Sequence, residues 1–241
     1  MDPAVRIVCI SDTHDMKPLA TLNIPDGDVL IHAGDLTIQG TFAEIARVGQ
    51  ELAELPHKHK LVIAGNHDKL FEKDYGLAKI ALGHGSRGIH YLQDSMAMVE
   101  EVEFWGSPWT PRFYDWAFQL DRKRSESERP FLLGPTAPRI AAEHWAGIPA
   151  GVDVLITHGP PQGILDRVHH GNHIGCHDLL AELPRVSPKL HVFGHDHSDP
   201  GVLEQDGIVF VNAAICDEAY QMKRRPTVVD YDEGKVTIVS R

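Results

Sequence analysis

The chain has 241 residues, a formal net charge of −11 and a 42% hydrophobic share. That length suits one large α/β domain or two small ones, and we read residues 1–241 as a single domain. The acidic balance argues against sequence-independent binding to long nucleic acid, which needs a basic surface. No apolar run approaches the roughly 20 residues of a bilayer span, so no membrane partner is expected.

Met1 leads almost at once into AVRIVCI, too short and too strand-like for the apolar part of a secretory leader. Cys9, Cys176 and Cys216 are scattered and odd in number, as expected of reduced thiols in a cytoplasmic protein.

In chain order, VRIVCI (5–10) is a short, continuously apolar run that suits a buried strand covered on both faces. DVLIHAG (28–34) and KLVIAG (60–65) repeat the pattern, and TFAEIARVGQELAEL (41–55) between them reads as a helix. Thr41 stands as its N-cap with Glu44 three residues on, a capping box. Phe42, Ile45, Val48, Leu52 and Leu55 then recur at helical spacing. MAMVEEVEFWGSP (96–108) is expected to form a hairpin, and 119–138, charged and then Pro-rich, a surface insertion. VDVLIT (152–157) and KLHVFG (189–194) are further strands, separated by a short helix, CHDLLAEL (176–183), that Pro184 should stop. GIVFVNAA (207–214), PTVVDYD (226–232) and GKVTIVS (234–240) read as antiparallel strands, with Asp-Glu-Gly turning between the last two.

The chemistry stands at strand ends. Asp12 and His14 follow the first run, Asp35 the second, Asn66, His67 and Asp68 the third. His158 follows the fourth, and His195, Asp196 and His197 the fifth. In open α/β sheets ligands bind beyond the carboxyl ends of the strands, so five such ends with metal-competent side chains point to one site. Carboxylate, amide and imidazole donors without thiolate suit Mn, Fe, Co or Zn. Side chains two apart on an extended segment point the same way, so Asp12 and His14 should grip one ion and His195 and His197 could straddle two. Asp35, between the other clusters, is the candidate bridge. Two divalent cations, less the charges of Asp12, Asp35 and a hydroxide, leave about +1, matched to a phosphodiester anion. Such a pair lowers the pKa of bound water toward ~7 and clamps phosphoryl oxygens.

The ordered blocks SDTH, AGD, GNHD, THG and GHDH, spanning residues 10 to 197, closely resemble the calcineurin-like metallophosphoesterases. LVIAGNH, GSPWTPRF, THGPPQG and PKLHVFG are similar to the animal metallophosphoesterase-domain-containing group related to class III cyclic-nucleotide phosphodiesterases. The resemblance implies a four-layer α/β/β/α sandwich of two mixed β-sheets around two divalent ions, Mn²⁺ foremost, with Fe, Zn, Co or Mg as alternatives. It assigns Asp12, His14, Asp35 and His197 to one ion and Asp35, Asn66, His158 and His195 to the other. His67 would donate a proton to the leaving oxygen or stabilise charge on phosphate, and Asn66 would also reach the substrate. The implied substrate is a small phosphodiester or nucleotide, cyclic nucleotides leading, attacked by a metal-bridging hydroxide.

Some relatives carry Gly at the position of His195 and many carry Glu at that of Asp68, and the 119–138 insertion looks longer than theirs. LTIQG after Asp35 lacks the Asp-Arg-Gly signature of protein serine/threonine phosphatases, which favours a diesterase on small substrates. The alternatives are a metal-binding or scaffold protein on this fold, or a phosphomonoesterase. Retention of all seven candidate ligands favours an enzyme.

Asp68 is expected to hold the His67 ring or to cap the following helical turn. His32 and His191, inside strand runs, read as core or supporting histidines, and Asp196 should point away from the metals. FWGSPWTPRFYDWAF (104–118) reads mostly as a loop packed by its own aromatics. Trp109 and Arg112 are singled out from it as a stacking face and a phosphate fork. The second Asn-His pair, in HHGNH (169–173), lacks a well-formed strand before it; its histidines could line the mouth of the cleft, but a solvated loop is the preferred reading.

Overall fold

The computed structural model describes residues 4–121 and 139–240. The first half runs β1 (Val5–Ile10), β2 (Val29–Ala33), α1 (Phe42–Glu54), β3 (His59–Ile63), α2 (Lys69–Lys73), α3 (Tyr75–Leu82), β4 (Ile89–Tyr91), β5 (Ser95–Val99), β6 (Val102–Ser107), β7 (Thr110–Pro111) and β8 (Gln119–Leu120). The second runs α4 (Ala141–Trp145), β9 (Val154–Thr157), α5 (His177–Val186), β10 (Leu190–Phe193), β11 (Gly201–Gln205), β12 (Ile208–Asn212), β13 (Thr227–Asp232) and β14 (Lys235–Ser240).

Two six-stranded mixed sheets result, ordered β14-β13-β1-β2-β3-β4 and β11-β12-β10-β9-β6-β5. β1 to β4 are parallel, as are β6, β9, β10 and β12, while β13, β14, β5 and β11 pair antiparallel. The period of two in a strand sorts the side chains into layers. Ile7 and Cys9 of β1 share a core with Ile31, Ile156 and Val192, between the sheets. Val8 and Ile10 belong instead with Ile45, Val48 and Leu52 of α1, on the outer side. Leu155 and Phe193 likewise join Leu179 and Leu183 of α5. Both faces of each sheet are therefore covered, giving the α/β/β/α order, and continuously apolar strand runs follow from that double burial.

Local chemistry sets the element ends. Thr41 Oγ1 accepts the Glu44 N–H at 3.3 Å and the Glu44 carboxylate accepts the Thr41 N–H at 2.9 Å, closing the capping box of α1. Glu100-Glu101 and Glu233-Gly234 connect β5 to β6 and β13 to β14, with positive φ at both residues of each turn (49° and 62°, 45° and 84°). Those are the torsions that match hairpin twist.

Three expectations need correction. The helix from His177 does not stop at Pro184; it ends at Val186, with Ser187 left-handed at φ 49°. Proline in the last turn removes only the N–H that would have bonded the Leu180 carbonyl, and the packed apolar face carries the helix past it. The run 207–214 does not pair with the C-terminal hairpin: β12 lies parallel to β10 in the second sheet, with β11 beside it. Of the expected insertion, Gln119–Leu120 forms β8 against β7, and residues 122–138 lie outside the described residues. Among the described residues no helix is long and apolar enough to cross a membrane.

Candidate metal centre

The loops leaving β1, β2, β3, β9 and β10 converge at one edge of the two sheets. They do so by turning, not by extending. Asp12, His14, Asp35 and His195 have φ of 55°, 49°, 52° and 68°, so the extended geometry expected for Asp12 and His14 is replaced by left-handed turns. Such torsions cost of order 1–3 kcal/mol per residue and persist only where surroundings over-determine them. Here the Asp12 N–H donates to the Gly34 carbonyl and the His14 N–H to the Asp35 carbonyl, each at 3.0 Å. The His195 N–H donates to the Asp12 carboxylate at 3.0 Å. Gly65 and Gly194 allow this crowding: a Cβ on either would collide with the Asp35 or Asp12 carboxylate.

The side chains form three overlapping groups, linked through His14 and Asp35. Asp12, His14 and His197 bring one donor atom each within 4.8 Å of the others, and Asp35, His158 and His195 do the same. In the first cluster His197 Nε2 lies 3.2 Å from Asp12 Oδ1 and 3.3 Å from His14 Nε2. In the second, Asn66 Oδ1 lies 3.0 Å from His158 Nε2. Asp35 joins them through one oxygen. Its Oδ1 accepts the His67 N–H at 2.8 Å, while Oδ2 sits 3.8 Å from His14 Nε2 and 3.5 Å from His158 Nε2.

Whether these groups fit a cation follows from their tautomers. A carbonyl can only accept, so each Nδ1 facing one must carry the proton. His14 donates from Nδ1 to the Thr37 carbonyl at 3.3 Å, His158 to Ala33 at 2.9 Å and His197 to Asp217 at 3.2 Å. In the neutral rings each Nε2 then presents a lone pair to the centre, and His14 and His197 aim theirs at each other. Converging lone pairs and buried carboxylates call for positive charge between them, and carbonyl-anchored imidazoles are the usual arrangement behind metal-ligating histidines. The field agrees. Burial opposes charge on His158, yet the Asp35 carboxylate outweighs it and carries the ring up to about 9. Burial is likewise overcome at His197, which the Asp12 carboxylate raises. Despite burial, Asp12 and Asp35 are held below the usual carboxylate range by their histidine neighbours. Burial wins at His195, aided by His158, and lowers it to about 4. The donor set fits two divalent cations.

His67 forms the third group, with one donor atom within 4.8 Å of those of His14 and Asp35. Its Nδ1 donates to the Ile38 carbonyl at 2.8 Å, which leaves Nε2 4.0 Å from Asp35 Oδ2 and facing a cavity. Trp116 stacks on the ring, centroids 4.3 Å apart and planes inclined by 29°. Tyr220 presents its ring to His14 at 4.8 Å and to His197 at 5.4 Å. Neither was singled out from the sequence. Trp116 belongs to the aromatic stretch but carries no mark that separates it from its neighbours, and Tyr220 lies well past the last motif.

Asp68 does neither thing expected of it. Its carboxylate accepts the Leu36 and Thr37 N–H groups at 3.0 Å, the Gly65 N–H at 2.9 Å and the Thr37 hydroxyl at 2.7 Å. It ties the loop after β2 to the loop after β3, so that Asp35 and Asn66 keep their positions. Burial and Asp35 push its pKa up to about 6, against four donors that favour the carboxylate.

A cavity of about 710 Å³ opens over the centre, with His14, Asp35, Asn66, His67, His195 and His197 on its floor. Pro111, Phe113, Trp116, Leu120, Val168 and Ile174 make much of its wall apolar. Trp109 is not part of that wall. It is buried, its indole N–H donates to Asp94 at 3.0 Å, and Arg139 covers its face. Arg112 reaches the cavity but its guanidinium is engaged by Asp121 at 2.6 and 3.2 Å. Asp196 lines the cavity while its Oδ1 accepts the Ser198 N–H at 2.8 Å. His32 and His191 are fully buried and support from behind, each 2.9 Å from a threonine hydroxyl, Thr13 and Thr157. Residues 171–173 are exposed, and the cleft-lining alternative holds for His173, which stands on the cavity wall.

Comparison with known proteins agrees with this geometry. Residues 5–199 match the family model described as calcineurin-like phosphoesterase. The chain is 38% identical to human metallophosphoesterase domain-containing protein 1 over 246 residues, covering 93% of this chain and 70% of that protein. It is also 38% identical to a UPF0046 protein of Caenorhabditis elegans over 236 residues, covering 94% and 75%. In fold it resembles TT1561 of Thermus thermophilus, with a TM-score of 0.65, 12% identity and 98% of each chain covered. With the family model spanning most of the chain and four of the five motif blocks lining one cavity, the chain belongs to the calcineurin-like phosphoesterases.

Proposed function

We propose that this protein is a phosphodiesterase of the cytoplasm that hydrolyses small phosphodiesters, cyclic nucleotides foremost, with two divalent cations of which Mn²⁺ is the first to try. The observation that supports it is Asp35 Oδ2, set between two His/Asp clusters on the floor of a largely apolar cavity. Asp12, His14, Asp35 and His197 would hold one cation and Asp35, Asn66, His158 and His195 the other. Bound there, the cations supply Lewis-acid stabilisation of phosphoryl oxygens and an activated water. Everything else falls to the chain. The Ile38 carbonyl fixes which His67 nitrogen meets the substrate, and in its protonated form Nε2–H donates to the leaving oxygen. Asn66 can orient a phosphoryl oxygen beside it. The apolar wall takes the organic substituents, in a volume ordinary for small-molecule sites. The acidic net charge fits a small ligand and no long nucleic acid.

A nitrophenyl diester and its matching monoester, assayed with and without Mn²⁺, test the reading. Metal-dependent turnover favouring the diester is expected. A monoester preference would replace the diesterase assignment, and no turnover of either would leave a metal-binding protein. Asp35→Asn keeps an acceptor for the His67 N–H but removes the shared charge. It should drop metal content below two equivalents and turnover by at least about 100-fold; two retained ions with full activity would contradict the bridge.

A further inference from the structure

Behind the second Asn-His pair lies a carboxylate that the metal chemistry does not use. Asp166 is fully buried and accepts three donors. Its Oδ2 takes the Gly163 N–H at 3.0 Å and the Gly175 N–H at 2.9 Å, and its Oδ1 faces His173 Nδ1 at 2.5 Å. The Ile174 N–H returns to the Asp166 carbonyl and the Val168 N–H bonds Asn172, so 166–174 is a closed hairpin braced from inside. A carboxylate accepts, so Nδ1 is the protonated nitrogen of His173. Nε2 is then an acceptor in the neutral ring, on a side chain 42% exposed at the cavity wall, and it meets no partner among the described residues. On the wall Arg112 pairs with Asp121, Glu218 takes both Ser198 and His169, and Asp196 accepts the Ser198 N–H through Oδ1 while its Oδ2 meets no partner among the described residues. A buried carboxylate that fixes a ring's orientation and tautomer is a costly way to build a solvated loop. It is an economical way to present one acceptor to a ligand.

We propose that His173, positioned by Asp166, reads the organic part of the phosphoester by accepting a hydrogen bond from a sugar-type hydroxyl. The residues toward phosphorus are the metal-binding floor and His67; His173 contributes specificity for hydroxylated substituents, as in a ribose. The inference rests on the phosphoester reading of this cavity.

Cytidine 5′-monophosphate and its 2′,3′-dideoxy analogue differ only in those hydroxyls. Calorimetric binding of each to the Mn²⁺-loaded protein reads the contact without requiring turnover. The wild type should prefer the ribonucleotide by about tenfold, the worth of one good hydrogen bond. His173→Ala should bind the two equally while keeping its affinity for the dideoxy compound. His173→Gln, with an amide oxygen near the position of Nε2, should recover part of the preference. No preference in the wild type, or the same preference in His173→Ala, overturns the proposal. Equal weakening of both ligands in His173→Ala also overturns it, since that reports a loop role. If the preference is present and depends on His173 while no phosphoester is turned over, the contact stands and the hydrolase reading falls.

Discussion

His67 shows how much of a functional residue lies outside its own side chain. The Ile38 carbonyl fixes its tautomer, and Trp116 covers one face of its ring. If Trp116 acts through His67, truncating it should matter only while His67 is present. Trp116→Ala should lower kcat about five- to tenfold on a diester with an alkyl leaving group, the range expected for losing one aromatic stack. In a His67→Ala background the same change should cost less than twofold, and additive losses in the four-protein cycle would assign Trp116 to the wall alone. The ligands themselves were legible because metal chemistry admits few residue types and each stands just past an apolar run. Trp116 and Tyr220 were not. They reach the cavity through loop paths that no spacing rule encodes, and in composition Trp109 and Trp116 are interchangeable until the fold buries one against Asp94 and sets the other against His67.

Strands were legible for a similar reason: burial on both faces forces continuous apolar runs, and β1, β2, β3, β9 and β10 fall within a residue or two of where those runs lie. Sheet membership was not legible, since the run around β12 is as apolar as β13 and says nothing about its neighbour. Inside β10, His191 breaks the apolar pattern, and its surroundings explain how it is tolerated. The Thr157 hydroxyl gives its only hydrogen to the Gly159 carbonyl at 2.8 Å, so it must accept from His191 Nε2–H at 2.9 Å. Nδ1 is then bare and buried with no partner among the described residues, and burial lowers the ring to about 3. A histidine depressed in the folded state is neutral there while the unfolded chain takes up a proton below about 6.5. Its contribution is therefore intact above pH 6.5 and is lost as pH falls toward 3, by about 1.4 kcal/mol per unit. Between pH 7 and pH 5 the wild type should lose about 2 kcal/mol more stability than His191→Gln, which keeps a donor for Thr157 but does not titrate. Urea unfolding of both proteins in chelator measures the difference, and parallel pH dependences would show that His191 is not the group responsible.

For the molecule as a whole, the centre lies where two sheets meet and draws on both. Asp12, Asp35 and Asn66 follow strands of the first sheet, and His158, His195 and His197 follow strands of the second. Within the centre, carboxylates of the first sheet face imidazoles of the second, as Asp35 does His158 and Asp12 does His197. Cations held here would bind the native arrangement and not the unfolded chain, whose ligands are scattered from residue 12 to residue 197. Binding then adds RT ln(1 + [M]/Kd) to stability, about 2.7 kcal/mol per site at a hundredfold excess over Kd. For a chain of this size that corresponds to a rise in Tm of roughly 5–10 °C for one site. Thermal unfolding in chelator and across a Mn²⁺ titration should show that rise, continuing with concentration as linkage requires. Asp35→Asn should flatten it to less than half, because the shared oxygen serves both clusters. A Tm indifferent to metal would mean that the converging lone pairs of His14 and His197 are reconciled by a proton.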